Sequence, residues 1–407
     1  MKTTNWRAIS ALNAVSTLAQ LGQFGVGFLV LPIWLAARGM GAIELGFYGA
    51  VGWAGMLAGL LITPKLLTNF TSKYVVFFGL FASTLGFLLI PQLSWPLWCL
   101  PAFLVGFGMG LRWIANETWL YRISPQAIVG QVVGFHEALI SLAVIIGPLL
   151  VVWFSTAGNR VVFLGAALSL AAALPLLFLQ PNEPLQQRRS LANRAAYPLI
   201  LASPLRARVC RRNNNRRAFF QVEKVILLGI SLAIVGGITD GAFTALFPIF
   251  GLGRGFAETQ VASLLAVIGL GGLLMQYPIG WLSDKIGFLK VSTFAAIVTM
   301  LTACAMAFVT MPYLLLNYFA FIFGGFFASF LTLGIIAAAS EAAPDKMARN
   351  MSKVSIAFTV SSIVGALLAG FAAAGMGSDA LLWLVALASG LLAIIFLRQL
   401  MVTKKTL

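Results

Sequence analysis

Arg112, Glu117, Glu137 and Asp240, together with the single histidine His136, interrupt long runs of apolar residues. A charge held that far from water costs on the order of 2.5–3.5 kcal/mol even on a lenient insertion scale, so each needs a partner, a cavity or a reaction. A carboxyl group in apolar surroundings is cheaper protonated than ionised, and reversible proton uptake is the chemistry these acids fit. Glu117 is the first choice for carrying a proton, Asp240 the second and Glu137 the third. His136, beside Glu137, is a further proton carrier or, on the structural reading, a satisfied helix-packing residue. Arg112 stands about 15 residues into its run, near the bilayer midplane at roughly 1.5 Å per residue. Glu117 follows five positions later, about 140° around a helix, so the two make a poor direct pair, and Asn116 shares the arginine's face instead. Arg112 therefore calls for an acid from another helix or an anionic ligand.

Enzyme chemistry has no counterpart in this chain. With one histidine there is no His-x-x-x-His pair, and neither a Gly-x-Ser-x-Gly elbow nor a Gly-x-x-x-x-Gly-Lys-Ser/Thr phosphate loop occurs. No metal site and no cofactor are expected, and the missing phosphate loop removes ATP as a driver within the chain. The cysteines Cys99, Cys210 and Cys304 read as unpaired thiols.

The elements that position these groups are legible from composition. Of 407 residues 60% are hydrophobic and 9% charged, with a mean hydropathy of +0.96. Soluble proteins carry roughly 25% charged residues, so this chain reads as a polytopic membrane protein. A spanning helix needs about 20 mostly apolar residues. Twelve runs qualify: 9–36, 43–67, 74–93, 96–122, 127–156, 161–180, 223–251, 258–282, 290–310, 313–341, 350–375 and 379–400. They are too long for barrel strands and lack period-two alternation, so the fold class is all-α. The first run lacks a small-residue cleavage site and reads as a retained helix.

The net charge of +16 follows topology rather than nucleic-acid binding. With both termini in the cytoplasm, 23 of the 27 Lys and Arg residues fall on the cytoplasmic side, and Arg38, Arg160 and Arg254 fall outside. Anionic lipid headgroups are the expected partners of this charge. Residues 181–222 hold nine arginines against one acid, Glu183, and form a basic cytoplasmic linker between residues 1–180 and 223–407.

Those two parts repeat one another. Residues 29–39, LVLPIWLAARG, match residues 245–255, ALFPIFGLGRG, placing Pro32 on Pro248, Arg38 on Arg254 and Gly39 on Gly255. Gly55 falls on Gly271, Gly106 on Gly324 and Gly147 on Gly365. A parallel repeat of six spans, with substrate held between the halves, is a construction used by secondary transporters.

After the eighth run stands Gly280-Trp-Leu-Ser-Asp284-Lys285-Ile-Gly287-Phe-Leu-Lys290. This resembles the signature of the major facilitator superfamily, Gly-x-Leu-(Ser/Ala)-Asp-(Arg/Lys)-x-Gly-x-x-(Arg/Lys), and with the spans and the repeat the resemblance covers essentially the whole chain. It implies two pseudo-symmetric six-helix bundles and a cytoplasmic gate in which Asp284 faces the start of the fifth helix, near residues 126–131. Gly280 then clears a helix crossing, and Gly287 permits a tight turn. In the first repeat Asn69 stands where the acid should be and Ser72 where the glycine should be, so the gate contacts are unequal. The Gly106-x-Gly108-x-Gly110 run resembles the fourth helix of proton-coupled efflux members, although Ala102 replaces their usual arginine. Trp113 and Glu117, in Trp-x-x-x-Glu-Thr-x-Leu, look like a little-described bacterial branch of the superfamily. Because helices one, four, seven and ten line the family's cavity, the resemblance also implies Gln23, Arg112, Trp113, Asn116 and Asp240 as substrate-binding candidates.

The function expected is a bacterial inner-membrane secondary transporter working by alternating access. It moves a small organic solute, amphipathic or anionic if Arg112 contacts it, in proton-coupled efflux of a drug or metabolite as an antiporter. Proton-coupled import of a metabolite or siderophore, lipid flipping, and a non-transporting sensor or assembly partner on the same fold stay open. No obligatory protein partner is expected.

Overall fold

The computed structural model describes residues 6–125, 128–180, 216–308, 311–339 and 344–405. Twelve helices in it are long and apolar enough to cross a membrane. We number them α1 (Trp6–Ala36), α2 (Ala42–Asn69), α3 (Ser72–Gln92), α4 (Cys99–Ile123), α5 (Gly134–Phe154) and α6 (Arg160–Leu177) in the first half. The second half holds α7 (Val225–Gly253), α8 (Glu258–Ile286), α9 (Phe288–Phe308), α10 (Tyr313–Ala338), α11 (Arg349–Met376) and α12 (Ala380–Val402). Each expected run coincides with one of them to within four residues at either end, except that the fifth, expected from residue 127, is a span from Gly134, and no strand occurs among the described residues. Most of the expected linker lies outside the described residues, as does Cys210.

Glycine sets how closely the helices of each half approach. In α4, Gly106 and Gly110 face α2, where a Cβ would strike the carbonyls of Gly52 and Met56, while Gly108 turns to α3 and would strike the Gly79 carbonyl. The Gly-x-Gly-x-Gly run thus lets one helix lie against two neighbours at backbone distance. Its repeat counterpart does the same in the second half: Gly324 of α10 meets the Ile268 carbonyl of α8, and Gly271 of α8 meets that of Phe321. Gly147 of α5 touches Gly25 of α1, and Gly365 of α11 touches Ile238 of α7. Equivalent glycines therefore serve equivalent crossings in the two six-helix bundles.

The repeated arginines are clasps. The Arg38 guanidinium stacks 3.6 Å over Trp34 and donates to the carbonyls of Gly158 and Thr156, binding the α1–α2 turn to the α5–α6 turn. Arg254 donates to Asp379 Oδ1 at 3.0 Å and to the Ala307 carbonyl, binding the α7–α8 turn to the turns around α9 and α12. Gly39 and Gly255, next in sequence, take φ of +84° and +79°, which only glycine adopts without strain. Large apolar side chains such as Phe78, Phe178, Phe308 and Leu314 are exposed around the bundle, as a lipid-facing surface requires.

The halves meet along α2 with α11 and α5 with α8. The first of these contacts is tightest at the end opposite the chain termini, where Gly46 and Gly370 touch backbone to backbone.

Candidate functional site

A polar cluster fills the first half between α1, α4 and α5. Arg112 is only 1% exposed; its Nε donates to Gln23 Oε1 at 3.0 Å and its Nη2 to Gln20 Oε1 at 2.6 Å. Gln23 Nε2 in turn donates to Ser83 Oγ of α3 at 2.8 Å. Leu21–Val30 is wound as π-helix, the local widening that often marks functional segments, and Gln23 lies in it. Two glutamines therefore occupy the place foreseen for an acid or an anionic ligand, and among the described residues Arg112 joins no ion pair. Neutral amide oxygens accept its hydrogens without neutralising its charge.

Glu117, 2% exposed, accepts the Trp113 indole N–H on Oε1, while its Oε2 is buried without a hydrogen-bond partner. That i,i+4 bond holds the carboxylate along α4. His136 is bonded through Nδ1 to Asn13 Oδ1 at 2.7 Å. An amide oxygen only accepts, so Nδ1 carries the hydrogen and Nε2, buried and unpartnered, is the free acceptor. Asn116 donates to Ser16 Oγ at 2.7 Å and to the Leu12 carbonyl, leaving Oδ1 unpartnered. With Glu117 ionised, all three orphaned atoms are acceptors, and protonation of Glu117 turns one of them into a donor. Glu137 is half-buried next to His136.

A cavity of about 230 Å³ lies between the halves, lined from α1, α5, α7, α8, α10 and α11. Of the residues expected to bind substrate, Asp240 lines it, whereas Gln23, Arg112, Trp113 and Asn116 do not. Gln23 and Arg112 come together as foreseen, but Asp240 stands apart from them, on the cavity wall. Trp113 packs instead against the aromatic cluster of Phe24, Phe28 and Trp53. The cavity also takes Ser141, Gln276 and Phe358, which sequence reasoning passed over. These are ordinary residue types in ordinary apolar runs, and only Phe24, beside Gln23, had a neighbour that marked it.

Contacts between the halves close over the cavity on one side. Toward the end opposite the termini, Trp53 Nε1 donates to Thr244 Oγ1 across the halves, Gly49 of α2 lies against Ala245 of α7, and α2 meets α11 at Gly46 and Gly370. On that face burial lowers the Arg38 guanidinium from its ordinary value, against the attraction of Glu258 at the start of α8. At the terminus end, Gly134 of α5 and Gly280 of α8 have nothing within 4 Å of where a Cβ would sit. Gly280 was expected to clear a helix crossing; in this conformation no helix crosses there. Asp284, Lys285 and Lys290 are exposed, and Lys285 Nζ sits 4.1 Å over the Trp281 ring. Gly287 makes the expected tight turn, with φ of +95° and its N–H on the Ser283 carbonyl. Gln126, at one edge of the foreseen partner segment, lies outside the described residues; Gln131 at the other is exposed, as is Asn69 in the first half.

Comparison with known proteins gives one family. The profile described as Major Facilitator Superfamily matches residues 12–315 and 230–406. An uncharacterized MFS-type transporter, YcaD, of Escherichia coli O17:K52:H18 is 28% identical over 289 residues, covering 68% of this chain and 69% of its own. An uncharacterized MFS-type transporter of Yersinia pestis (strain Pestoides F) is 27% identical over 280 residues, covering 68% of this chain and 66% of its own. Among solved structures, a mutant of the nucleoside transporter NupG superposes with a TM-score of 0.77 at 16% identity, over 96% of this chain and 99% of that one. A D-xylose–proton symporter superposes with a TM-score of 0.72 at 12% identity, over 97% of each. At such identities these two likenesses speak for the fold.

Proposed function

The chain belongs to the major facilitator superfamily, and from that premise we propose that it exports a small organic solute in exchange for protons by alternating access. The cavity between the halves, closed over at the end opposite the termini by the Trp53–Thr244 bond and the Gly46–Gly370 contact, is the observation that carries this reading. The excess of Lys and Arg at the terminus end supports, by the positive-inside rule, cytoplasmic termini in a bacterial inner membrane. The conformation described is then inward-facing.

Glu117 is the proton carrier in this reading. Its Oε2 is a buried acceptor without a donor, and His136 Nε2 and Asn116 Oδ1 are two more in the same half. Protonation removes a buried charge and supplies a donor in one step. The π-helical segment of α1 links this cluster to the cavity: Gln23 holds Arg112, and the adjoining Phe24 lines the cavity wall. A change of charge at Glu117 thus bears on the helix that the substrate touches. Glu137 and Asp240 are the second-rank carriers.

The test is flux in proteoliposomes under an imposed pH gradient, with a panel of small organic solutes. Uphill movement of one solute against the proton flow, lost on adding an uncoupler, is the expected result. Gradient-independent exchange alone would remove the coupling, and no exchange of any solute would favour a sensor on a transporter fold.

A further inference from the structure

Asp240 is the one charged residue among those lining the central cavity, and among the described residues its carboxylate has no hydrogen bond and no ion pair. No basic residue lines the same space. The arginine that could have drawn an anion, Arg112, is buried outside the cavity with its hydrogens given to Gln20 and Gln23. An ionised Asp240 therefore leaves the cavity with an uncompensated negative charge.

The rest of the wall narrows what neutralises it. Phe24, Phe243, Phe327 and Phe358 contribute aromatic rings, and Leu265 and Ile268 contribute aliphatic surface. A hydrated inorganic cation needs about six oxygen ligands in place of its water, and one carboxylate with a few scattered hydroxyls does not supply them. A polyhydroxylated neutral solute needs several converging polar groups. Here Gln276 has an amide hydrogen committed to Thr332, at 3.1 Å, and the Thr244 hydroxyl donates to the Asp240 carbonyl at 2.8 Å. A weakly hydrated cation with apolar substituents meets both demands, because the carboxylate balances its charge and ring faces attract it. The volume of about 230 Å³ sets the scale at a single substituted ring rather than a large polycyclic drug.

We propose that the solute carried in this cavity is a small lipophilic organic cation, with Asp240 as its counter-ion and Phe24 and Phe358 as its aromatic walls. The proposal rests on the transporter reading above and names its substrate class.

The experiment measures binding of benzyltrimethylammonium to the purified full chain by calorimetry, beside 3-phenylpropionate and benzyl alcohol as an anion and a neutral compound of similar size. The expected result is saturable binding of the cation alone, weakened at least tenfold by Asp240→Asn and partly kept by Asp240→Glu. Phe358→Leu, which keeps the cavity apolar without a ring, should weaken the cation severalfold and serves if the Asp240 variants prove unstable. Absence of cation binding to the wild-type chain, equal binding of the anion, or unchanged cation affinity in both Asp240→Asn and Phe358→Leu would overturn the substrate class. The two readings fail separately. Exchange of neutral or anionic solutes in proteoliposomes without cation binding leaves the transporter and removes the cation, whereas cation binding with no flux of any solute leaves the site and removes transport.

Discussion

The indole N–H of Trp53 on α2 donates to Thr244 Oγ1 on α7 at 3.2 Å, joining the two halves one helical turn beyond Asp240. The Trp53 ring also lies edge-on to Phe28 and Phe358, with centroids 5.1 and 6.3 Å away, so a single side chain ties the first half to Thr244 and Phe358 of the cavity wall. Alternating access requires this tie to part. Trp53→Phe keeps an aromatic ring and removes the bond, which is worth about 0.5–1.5 kcal/mol. The population open to the far face should rise roughly two- to tenfold. Labelling of a cysteine placed at Ser141, in a background lacking the native cysteines, reads the change from outside sealed vesicles of known orientation. An unchanged rate would mean that packing at Gly46 and Gly370 sets the closure instead.

Close packing and open space make opposite predictions for two glycines. A methyl at Gly106 is driven into the Gly52 carbonyl, backbone that cannot step aside, so Gly106→Ala should cost about 1–3 kcal/mol and lower the melting temperature in detergent. Gly280 has open space around it, and Gly280→Ala should leave melting unchanged while the terminus end is open. Equal losses for the two variants would place a helix against Gly280 in the dominant conformation.

The spans, the repeat and the turn at Gly287 were legible because each rests on local chemistry: apolar length, recurrent Pro, Arg and Gly, and a φ that glycine tolerates. Partnership was legible only in part. Gln23 was expected near Arg112, yet Arg112 reads as a group short of an acid, and spacing does not foretell that its hydrogens go to the amides of Gln20 and Gln23 or that α1 winds as π-helix there. The repeated arginines Arg38 and Arg254 are clear in sequence, but their role as clasps depends on turns more than a hundred residues away, at Gly158 and Asp379. The cavity wall was the least legible part, since Ser141, Gln276 and Phe358 acquire meaning only when the halves meet.

The proposed orientation has a direct test. Cys210 stands among Arg208, Arg211 and Arg212, and the positive-inside rule predicts a cytoplasmic place for this segment. A membrane-impermeant maleimide should label Cys210 only after lysis. Labelling in intact cells would invert the orientation and with it the inward-facing assignment.

Coupling is tested by removing the proton and keeping the shape. Glu117→Gln retains an acceptor for the Trp113 indole N–H but cannot lose or gain charge. Gradient-driven transport should fall to the level of the empty-vesicle control, while exchange of substrate at equal pH persists. Full gradient-driven transport by this variant would move the carrier to Asp240 or Glu137.

The gate prediction turns on Asp284, exposed in this conformation at the open terminus end, with Gly280 facing empty space one turn earlier. A gate acid need touch its partner only when its side is shut, so its exposure here fits a contact made in the opposite state. A carboxylate at a helix N-terminus is worth roughly 0.3–1 kcal/mol exposed and up to about 2 when partly buried. Asn69, the matching residue of the first half, brings no full charge, and the seal should therefore lean on the second repeat. Asp284→Asn should shift the population further toward the open-terminus state, by up to about tenfold if roughly 1.4 kcal/mol is lost. Asn69→Asp should shift it the other way where a helix end is in reach. Single cysteines at Gly134 and Gly280, which have open space around them here, report both shifts through their labelling rates. Labelling unchanged by Asp284→Asn would leave the motif a folding or topology element and end its role as a gate.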